Sequence, residues 1–313
     1  MKNISRRSLL KHGAMTVTAL SIVPNTILGK SHSKLLSCVQ TKGSVPPKYI
    51  CLQLYSLRDD ISKDYANTIK EVGRMGYTSV ETANYDAERR TFYGRTPSEF
   101  KKDMEGAGLT MLSAHTFIGM SREVRDNKNF ELMAERWEKC IDDHKAAGAG
   151  YIVCAGIRLP QTMEELKTIC EYFNFVGKKC KEKGLVFGYH NHDYEFRKVE
   201  NQSVMIDFMI ENSNPEYVTF EMDTYWVVKS GNSPVEYFKK YPGRFKLLHV
   251  KDHKELGESG MVGFDAIFKY TDIAGVEHLV VEVEEYDHTP LESVKLSLDY
   301  LINNPLVKKN YKS

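Results

Sequence analysis

Short apolar runs alternate along the chain with longer amphipathic segments. The amphipathic segments, for example residues 129–147 and 162–183, carry apolar residues at three- and four-residue spacing, which predicts helices. Uninterrupted apolar runs are typical of parallel strands that are buried on both faces, and their alternation with helices predicts a parallel sheet. The predicted strands are residues 50–55, 77–81, 110–115, 151–155, 185–190, 218–223, 246–251 and 279–284.

Glycines mark the joins between the predicted helices and the strands that follow. Gly76, Gly108, Gly148, Gly184 and Gly275 each precede an apolar run by one or two residues, as expected for left-handed helix caps. Eight strand–helix units in about 260 residues match a (β/α)8 TIM barrel. The rival architecture, a doubly wound open sheet, would have a glycine-rich phosphate turn after the first strand, and none is present. We therefore predict a single barrel over 48–306, a C-terminal tail at 307–313 and no nucleotide cofactor.

The N-terminal segment has the layout of an export signal. Arg6 and Arg7 precede an apolar stretch that ends near Gly29, which predicts a twin-arginine signal peptide over residues 1–29. A polar linker over 30–47 follows. An uncleaved membrane anchor is disfavoured because Pro24 breaks the stretch, and lipidation at Cys38 is a further alternative. The expected location is the periplasm, without stable membrane insertion after cleavage, and an exported enzyme is expected to act on unphosphorylated sugars.

Composition narrows the class of partner. The chain has 43 Lys and Arg against 42 Asp and Glu, for a net charge of +1, and the basic residues form no run. Nucleic acid is therefore not an expected partner, and a small, largely neutral molecule is. The six cysteines include no Cys-x-x-Cys pair, which favours buried free thiols over disulfides or a thiolate zinc site. A homo-oligomer is compatible with these features.

Ionisable side chains follow four of the predicted strands at two-residue spacing. Side chains two residues apart on a strand point the same way, and the carboxyl-terminal strand ends form the active face of a barrel. A lone inward histidine is usually a hydrogen-bonded core group, but several buried carboxylates and imidazoles together favour a cation. We therefore predict a divalent-metal site at this face. The pairs are His190 with His192, Glu221 with Asp223, His249 with Lys251 and Glu282 with Glu284, and Gln53, Tyr55, Glu81 and His115 on earlier strands join them.

Several segments together resemble a known superfamily, the xylose isomerase-like barrels, which include sugar isomerases, ketose 3-epimerases and inosose dehydratases. The resemblance covers the chain after about residue 48. The segments are Gln53-Leu54-Tyr55-Ser56-Leu57-Arg58, Gly76-Tyr77 running to Glu81, Tyr189-His190-Asn191-His192-Asp193-Tyr194-Glu195-Phe196, Glu221-Met222-Asp223-Thr224-Tyr225-Trp226, His249-Val250-Lys251-Asp252 and Val281-Glu282.

The resemblance implies one divalent ion and a carbohydrate substrate that loses a proton next to a carbonyl, through an enediolate. The implied metal ligands are His190, Asp223, His249 and Glu282. The expected catalytic residues are Glu282, His192, Lys251 and Glu195, and the expected substrate-binding residues are Gln53, Tyr55, Glu81, His115, Trp226 and Glu284. Two nitrogen and two oxygen ligands favour manganese, cobalt, zinc or iron over magnesium.

One position departs from the family pattern and leaves the reaction open. His190 stands where many epimerases have a glutamate, so the second of two bases is missing unless another residue supplies it. A sugar isomerase or epimerase is the leading hypothesis. The alternative is a lyase or dehydratase that eliminates a group from a keto-sugar or 3-keto-glycoside after the same first step. A metal-dependent phosphodiesterase or endonuclease and a non-catalytic sugar-binding protein are less favoured.

Overall fold

A closed barrel of parallel strands forms the centre of the molecule. The computed structural model describes residues 48–116 and 118–312, and within them eight strands close in the order β1-β12-β11-β10-β7-β6-β5-β2, with every neighbouring pair parallel. The strands are β1 (Ile50–Gln53), β2 (Ser79–Thr82), β3 (Tyr85–Asp86), β4 (Thr91–Phe92), β5 (Thr110–His115), β6 (Tyr151–Cys154), β7 (Val186–His190), β8 (Lys198–Val199), β9 (Ser203–Val204), β10 (Val218–Asp223), β11 (Leu247–Lys251) and β12 (His278–Glu282). This confirms the predicted (β/α)8 barrel. The predicted signal peptide, the linker and Cys38 lie outside the described residues.

Helices connect the barrel strands and cover their outer faces. They are α1 (Arg58–Met75), α2 (Pro97–Gly106), α3 (Arg122–Asn127), α4 (Ala134–Ala147), α5 (Met163–Glu182), α6 (Met205–Asn212), α7 (Thr224–Lys229), α8 (Pro234–Lys240), α9 (Phe264–Lys269), α10 (Thr271–Ala274) and α11 (Pro290–Asn303). Short 3₁₀ helices span Leu54–Leu57, Phe130–Met133 and Tyr194–Phe196. Among the described residues, none of the helices combines the length and the apolar character that a bilayer crossing requires.

Helix α5 shows how the sequence pattern produces this packing. Its buried residues recur at three- and four-residue spacing, which forms one apolar stripe against the barrel. The Thr162 side chain accepts a hydrogen bond from the backbone N–H of Glu165 and so caps the first turn. Gly177 allows α5 to pack closely against the residue before β10, because a Cβ at this position would lie 2.4 Å from the carbonyl oxygen of Tyr217.

The interior of the barrel is apolar at one end and polar at the other. Tyr151 and Leu247, the first residues of β6 and β11, form a buried cluster with Val153. Charged and hydrogen-bonding side chains fill the interior toward the carboxyl-terminal ends of the strands, where Asp223 and His249 are fully buried. The apolar end closes the barrel, so a small molecule can reach the polar groups only from the opposite rim.

The first and last barrel strands are shorter than predicted. Strand β1 ends at Gln53, because its side-chain oxygen accepts a hydrogen bond from the N–H of Tyr55 and starts a 3₁₀ turn. Strand β12 ends at Glu282 rather than at Glu284. Tyr55 therefore lies in the 3₁₀ helix that follows β1 and Glu284 on the loop after β12, and the prediction that these two residues continue their strands was wrong. His192 lies on the segment after β7, beyond the predicted end of that strand at residue 190.

The cysteines and the C-terminal segment can also be compared with their predictions from sequence. Within the described residues the cysteines are free and buried, as predicted. Val307 is buried in the core, and the carbonyl oxygen of Lys309 accepts a hydrogen bond from the N–H of Tyr49. The beginning of the segment predicted as a tail therefore packs against the barrel.

Candidate active site and metal centre

Four neighbouring strands present ionisable side chains at the same edge of the barrel. The parallel register places Asp223 at the end of β10 beside His249 on β11. Glu282 ends the next strand, β12, while Glu221 lies one step lower beside His190 at the end of β7. We call His190, Asp223, His249 and Glu282 the rim quartet. These are the four ligands that the family resemblance implies, and the structure brings them together.

The donor atoms of the rim quartet converge without touching. The Asp223 Oδ2 atom lies 3.9 Å from His190 Nε2 and 3.9 Å from His249 Nδ1. The Glu282 Oε2 atom lies 3.4 Å from His249 Nδ1. Tetrahedral ligands about 2.1 Å from an ion lie about 3.4 Å from one another, so the spacing suits a shared cation. The Asp223 Oδ2 and His249 Nδ1 atoms are buried and have no hydrogen-bond partner, which is the state expected of ligand atoms.

Two buried glutamates orient the histidines of the quartet. The Glu221 Oε2 atom lies 3.2 Å from His190 Nδ1, and Glu81 Oε1 lies 2.8 Å from His249 Nε2. His115 Nε2 lies between the same two carboxylates, 2.9 Å from Glu81 and 2.8 Å from Glu221. An imidazole that binds a metal through one nitrogen commonly pairs its other ring nitrogen with a carboxylate, which fixes the tautomer and the ring orientation. Glu81 and Glu221 hold that place here.

Two groups of potential ligands lie within coordination reach: Asp223, His249 and Glu282 of the rim quartet, and a second group made of His115, His190, Glu221 and His249. The members of the second group are already in direct contact, because His115 Nε2 and Glu221 Oε2 are at hydrogen-bond distance. The rim quartet leaves wider spacing between its atoms and opens on the cavity described below. We therefore take the rim quartet as the set of residues that fits a divalent ion.

The charge balance at the rim also favours a cation. Burial raises the pKa of the Asp223 carboxyl to about 7, although the Lys251 ammonium and His249 oppose the shift. Burial would raise the pKa of Glu282 as well, but Lys251 and His249 hold it well below its usual range. Asp223 is therefore a buried carboxyl group with too little positive charge around it, and a divalent ion would supply the deficit.

Lys251 is a buried cation shared by several carboxylates. Its Nζ atom lies 3.0 Å from Glu282, 2.9 Å from Glu284 and 4.0 Å from Asp223. The ammonium also lies 4.8 Å from the ring centroid of Trp226, which packs beside His192. Burial lowers the pKa of Lys251, but the three carboxylates outweigh burial and raise it above its usual value. Lys251 therefore stays charged and holds Glu282 at the end of β12 and Glu284 on the loop after it.

A polar cavity of about 590 Å³ lies above the rim quartet. We call it the reaction cavity. Of the site residues predicted from sequence, six line it: Tyr55, His115, His190, His192, Glu282 and Glu284. The other predicted site residues lie behind or beside these six. The lining residues are Tyr55, Ala83, His115, Thr116, Ala155, Gly156, Ile157, His190, His192, Glu282 and Glu284.

Gln53 and Glu81, predicted to bind substrate, lie beneath the reaction cavity instead. Both are fully buried. The Gln53 side-chain amide donates to Glu81 Oε1 at 2.7 Å, and that oxygen also pairs with His249. The end of β1 at Gln53 explains the difference, because the chain turns away there and leaves the side chain inside the barrel. Their place in the structure is to hold histidines rather than to contact substrate.

Glu195, predicted as a catalytic residue, is fully buried and does not line the reaction cavity. Its carboxylate accepts hydrogen bonds from the hydroxyl of Tyr189 at 2.5 Å and from the backbone N–H of His192 at 2.8 Å. The second bond fixes the loop that carries His192 over the cavity. In this structure Glu195 is a positioning residue, and His192 is the group that it places.

Burial raises the pKa of Glu195 to about 7 from an ordinary value of 4.5, so we expect a pH-dependent contribution to stability. The folded protein keeps this proton to higher pH than the unfolded chain. The stabilising contribution is therefore complete below about pH 4.5 and is lost as the pH rises through about 7. Over that window Glu195→Gln should gain up to about 3 kcal/mol in unfolding free energy relative to wild type.

Urea denaturation of both proteins across this pH range measures the difference. Glu131→Gln is the matched control, because Glu131 is exposed and its substitution should leave a curve parallel to that of wild type. If the Glu195→Gln and wild-type curves also run parallel, Glu195 does not titrate in the folded protein as described.

Two polar residues that support the site were not recognised from sequence. The Asn191 side chain accepts a hydrogen bond from the N–H of Asp223 at 3.2 Å. The Thr224 hydroxyl ties the end of β10 to β11, because it lies 3.1 Å from the carbonyl oxygen of His249 and 2.9 Å from that of Lys251. Both residues follow a ligand directly in sequence, which is the one signal that could have indicated them. Their hydrogen bonds set the positions of β7, β10 and β11 along the barrel axis relative to one another.

A model of the xylose isomerase-like TIM barrel family matches residues 69–304. The chain therefore belongs to this family, which confirms the resemblance seen in its motifs.

Its relatives have named activities of two kinds. It is 27% identical over 258 residues to an inosose dehydratase of Bacillus cereus strain AH820, across 71% of this chain and 82% of that protein. An inosose dehydratase of Clostridium perfringens is 31% identical over 146 residues, but the match spans only 48% of that protein. The crystal structure of a sugar phosphate isomerase/epimerase from Parabacteroides distasonis superposes with a TM-score of 0.79 at 31% identity, across 85% of this chain and 98% of the other.

Proposed function

We propose that the protein is a divalent-metal-dependent enzyme that removes a proton from the carbon next to the carbonyl of a sugar or keto-sugar. The observation that carries the proposal is the rim quartet, whose unpartnered Asp223 and His249 atoms face one point beneath the reaction cavity. The names of the relatives, inosose dehydratase and sugar phosphate isomerase/epimerase, support chemistry of this kind. The sugar, the carbon that reacts and the native metal belong to the proposal's tests.

A bound divalent ion would polarise the substrate oxygens and stabilise the negative charge that develops when the carbon loses its proton. The ion would be held by His190, Asp223, His249 and Glu282. The residues of the chain must then accept and return a proton. Glu282 and His192 both line the reaction cavity and can act as bases. Lys251 holds Glu282 through its ammonium at 3.0 Å and so orients the carboxylate.

The leading outcome is isomerisation or epimerisation, but one observation favours elimination as a second candidate. Epimerisation needs a base on each face of the reacting carbon, and the position on β7 that would supply the second carboxylate is His190. Its ring is held between Glu221 and the centre of the quartet. Elimination needs one base and then expulsion of a leaving group, which the groups that line the cavity can provide.

The reaction cavity also favours an unphosphorylated substrate. No lysine or arginine is among the described residues that line it, and Lys251 is engaged by carboxylates. A phosphate group would meet Glu282 and Glu284 instead of a lysine or arginine side chain. Export by the twin-arginine route, which the N-terminal sequence predicts, agrees with such a substrate and stays a prediction.

Hydrogen exchange tests the common first step. Manganese-loaded protein in deuterated water should incorporate deuterium next to the carbonyl of at least one member of a panel of free ketoses, 3-keto-sugars and 3-keto-glycosides, followed by proton NMR. Glu282→Gln should lose this exchange by about 10²-fold or more, because the residue both faces the cavity and completes the quartet. Glu285→Gln, an exposed neighbour, is the matched control.

Product masses then separate the outcomes. An unchanged substrate mass indicates an isomerase or epimerase, and loss of water or of an aglycone indicates a lyase. Absence of exchange across the whole panel, with metal bound, contradicts the proposed function.

A further inference from the structure

A second cavity adjoins the reaction cavity on the side of β6. Its volume is about 220 Å³, and it lies between the barrel wall, helices α4 and α5, and the loops that follow β5 and β6. Thr116 and Ile157 line both cavities, so the two spaces meet there. We call the second space the side cavity. The two shared residues place the side cavity next to the space over the rim quartet.

The side cavity is apolar, in contrast to the reaction cavity. Its walls come mainly from Ile118, Trp137, Ile169, Tyr172, Phe173 and Phe187. These six residues are all buried, and they come from four separate segments of the chain around one space. An apolar wall of this kind favours an apolar occupant, because burial of apolar surface is the main gain that it can offer.

The few polar atoms in the wall are already paired with one another. The indole N–H of Trp137 donates to the Tyr172 hydroxyl at 2.7 Å, and that hydroxyl donates to the carbonyl oxygen of Ile118 at 3.2 Å. The Thr116 hydroxyl pairs with His144 at 2.8 Å. None of the atoms in the described wall residues is a buried polar atom without a partner. The occupant therefore needs no hydrogen-bonding groups of its own.

The size of the side cavity corresponds to an aromatic ring with a small substituent. A cavity of about 150 Å³ accommodates a benzene ring, and the volume here is 220 Å³. Arg125 and Arg158 also belong to the lining, but each guanidinium has an acidic partner, Asp126 at 3.5 Å and Glu165 at 3.4 Å. Their charges are thus largely balanced, and an uncharged ring fits better than an anionic one.

We propose that the side cavity binds an apolar substituent, about the size of a phenol ring, on the keto-sugar whose carbonyl lies over the rim quartet. The inference rests on the proposed function and deepens it, because it makes the substrate a keto-glycoside with an aromatic aglycone. A free sugar has no aglycone and would leave the side cavity empty.

The reaction that follows for such a substrate is β-elimination. The leaving group must be on the carbon two positions from the carbonyl, so a glycoside that loses its C1 substituent has its carbonyl at C3. The base removes the C2 proton, the electrons of the C2–H bond form the C1=C2 double bond, and the C1–O bond breaks. The aglycone oxygen keeps that electron pair and takes up a proton. The products are an unsaturated keto-sugar and a phenol, and no oxidant or reductant is needed.

The test compares the benzyl and methyl glycosides of 3-keto-glucose, whose alcohol leaving groups have similar acidity, so that a rate difference reports on binding of the ring. Wild type should favour the benzyl compound by about 10- to 100-fold in kcat/KM, the range that a hydrophobic pocket typically provides. Ile169→Phe, which fills the side cavity from helix α5, should reduce this preference to about 1 to 3. Met120→Trp fills it from a half-buried loop position and serves if Ile169→Phe does not fold. Ile302→Phe, at an exposed position on α11, should keep the wild-type preference.

The outcomes separate the two proposals. If wild type exchanges the C2 proton of both glycosides but shows no preference, the side cavity does not bind the aglycone and the proposed function stands. If both filling variants fold and retain the benzyl preference, the inference is also overturned. If wild type with bound metal exchanges neither these glycosides nor the wider panel, the proposed function itself fails.

Discussion

An Asp223→Ala variant is expected to lose tight divalent-metal binding and to lose turnover by about 10³-fold or more. Asp223 contributes the one oxygen that lies 3.9 Å from both histidines of the rim quartet, so its removal opens the site at its centre. Metal should stabilise the wild-type fold by about 2.7 kcal/mol at a concentration of 100 times Kd, and it should hardly stabilise the variant. Titration with manganese, followed by thermal denaturation with and without chelator, measures both effects.

The control for this experiment is another buried carboxylate, Asp143. It pairs with Arg90 at 2.6 Å, outside the barrel interior, and contributes nothing to the quartet. Asp143→Asn should therefore be less stable than wild type but should keep the full stabilisation by metal. The assignment of the quartet is contradicted if Asp223→Ala still gains as much stability from manganese as wild type does.

Lys251→Met is expected to destabilise the metal-free protein by about 3 kcal/mol or more, because it removes the ammonium that offsets the charge of the buried carboxylates at the rim. Lys251 is 2% exposed and is the ammonium that lies within 4.0 Å of Asp223, Glu282 and Glu284. A divalent ion can supply the missing positive charge. Manganese should therefore raise the unfolding free energy of the variant by more than it raises that of wild type, while turnover falls because Glu282 is no longer held. Urea denaturation with and without metal measures both changes.

Lys246→Met is the matched control, because Lys246 lies directly before the opposite, amino-terminal end of the same strand, β11. Lys246 is partly exposed and pairs with Glu277 at 3.1 Å, so its removal should cost at most about 1 kcal/mol and should not alter the response to metal. If Lys251→Met is as stable as Lys246→Met without metal, Lys251 does not neutralise the rim carboxylates.

The rim quartet could be predicted because a barrel leaves little freedom for the ends of its strands. Once the apolar runs define successive parallel strands, side chains at their carboxyl-terminal ends must meet at one face. Strand β10 was predicted with the bounds that the structure shows, and Asp223 at its end lies where the sequence placed it. The regular part of the architecture therefore determines which ionisable groups converge.

The positions that the sequence could not give depend on loops and on contacts between distant segments. Tyr55 leaves the line of β1 because of one side-chain hydrogen bond from Gln53, which no strand pattern reveals. The pairing of β2 with β5 shifts register between Val80 and Glu81, and such an irregularity changes which side chains face inward. Glu195 looked catalytic because it is acidic and close to His192 in sequence, whereas its hydrogen bonds show that it supports the loop. The side cavity is assembled from segments far apart in the chain.

The two described ends of the barrel are joined by hydrogen bonds. The Lys48 ammonium donates to the carbonyl oxygens of Leu301 and Asn304, and the N–H of Tyr49 donates to that of Lys309. Termini that lie side by side are well suited to circular permutation. A chain that begins at the exposed turn of Gly231, with residue 309 connected to residue 48 by a short linker, would keep every strand neighbour of the barrel. New protein modules could then be attached at a loop of choice, without changing the residues that bind metal and substrate.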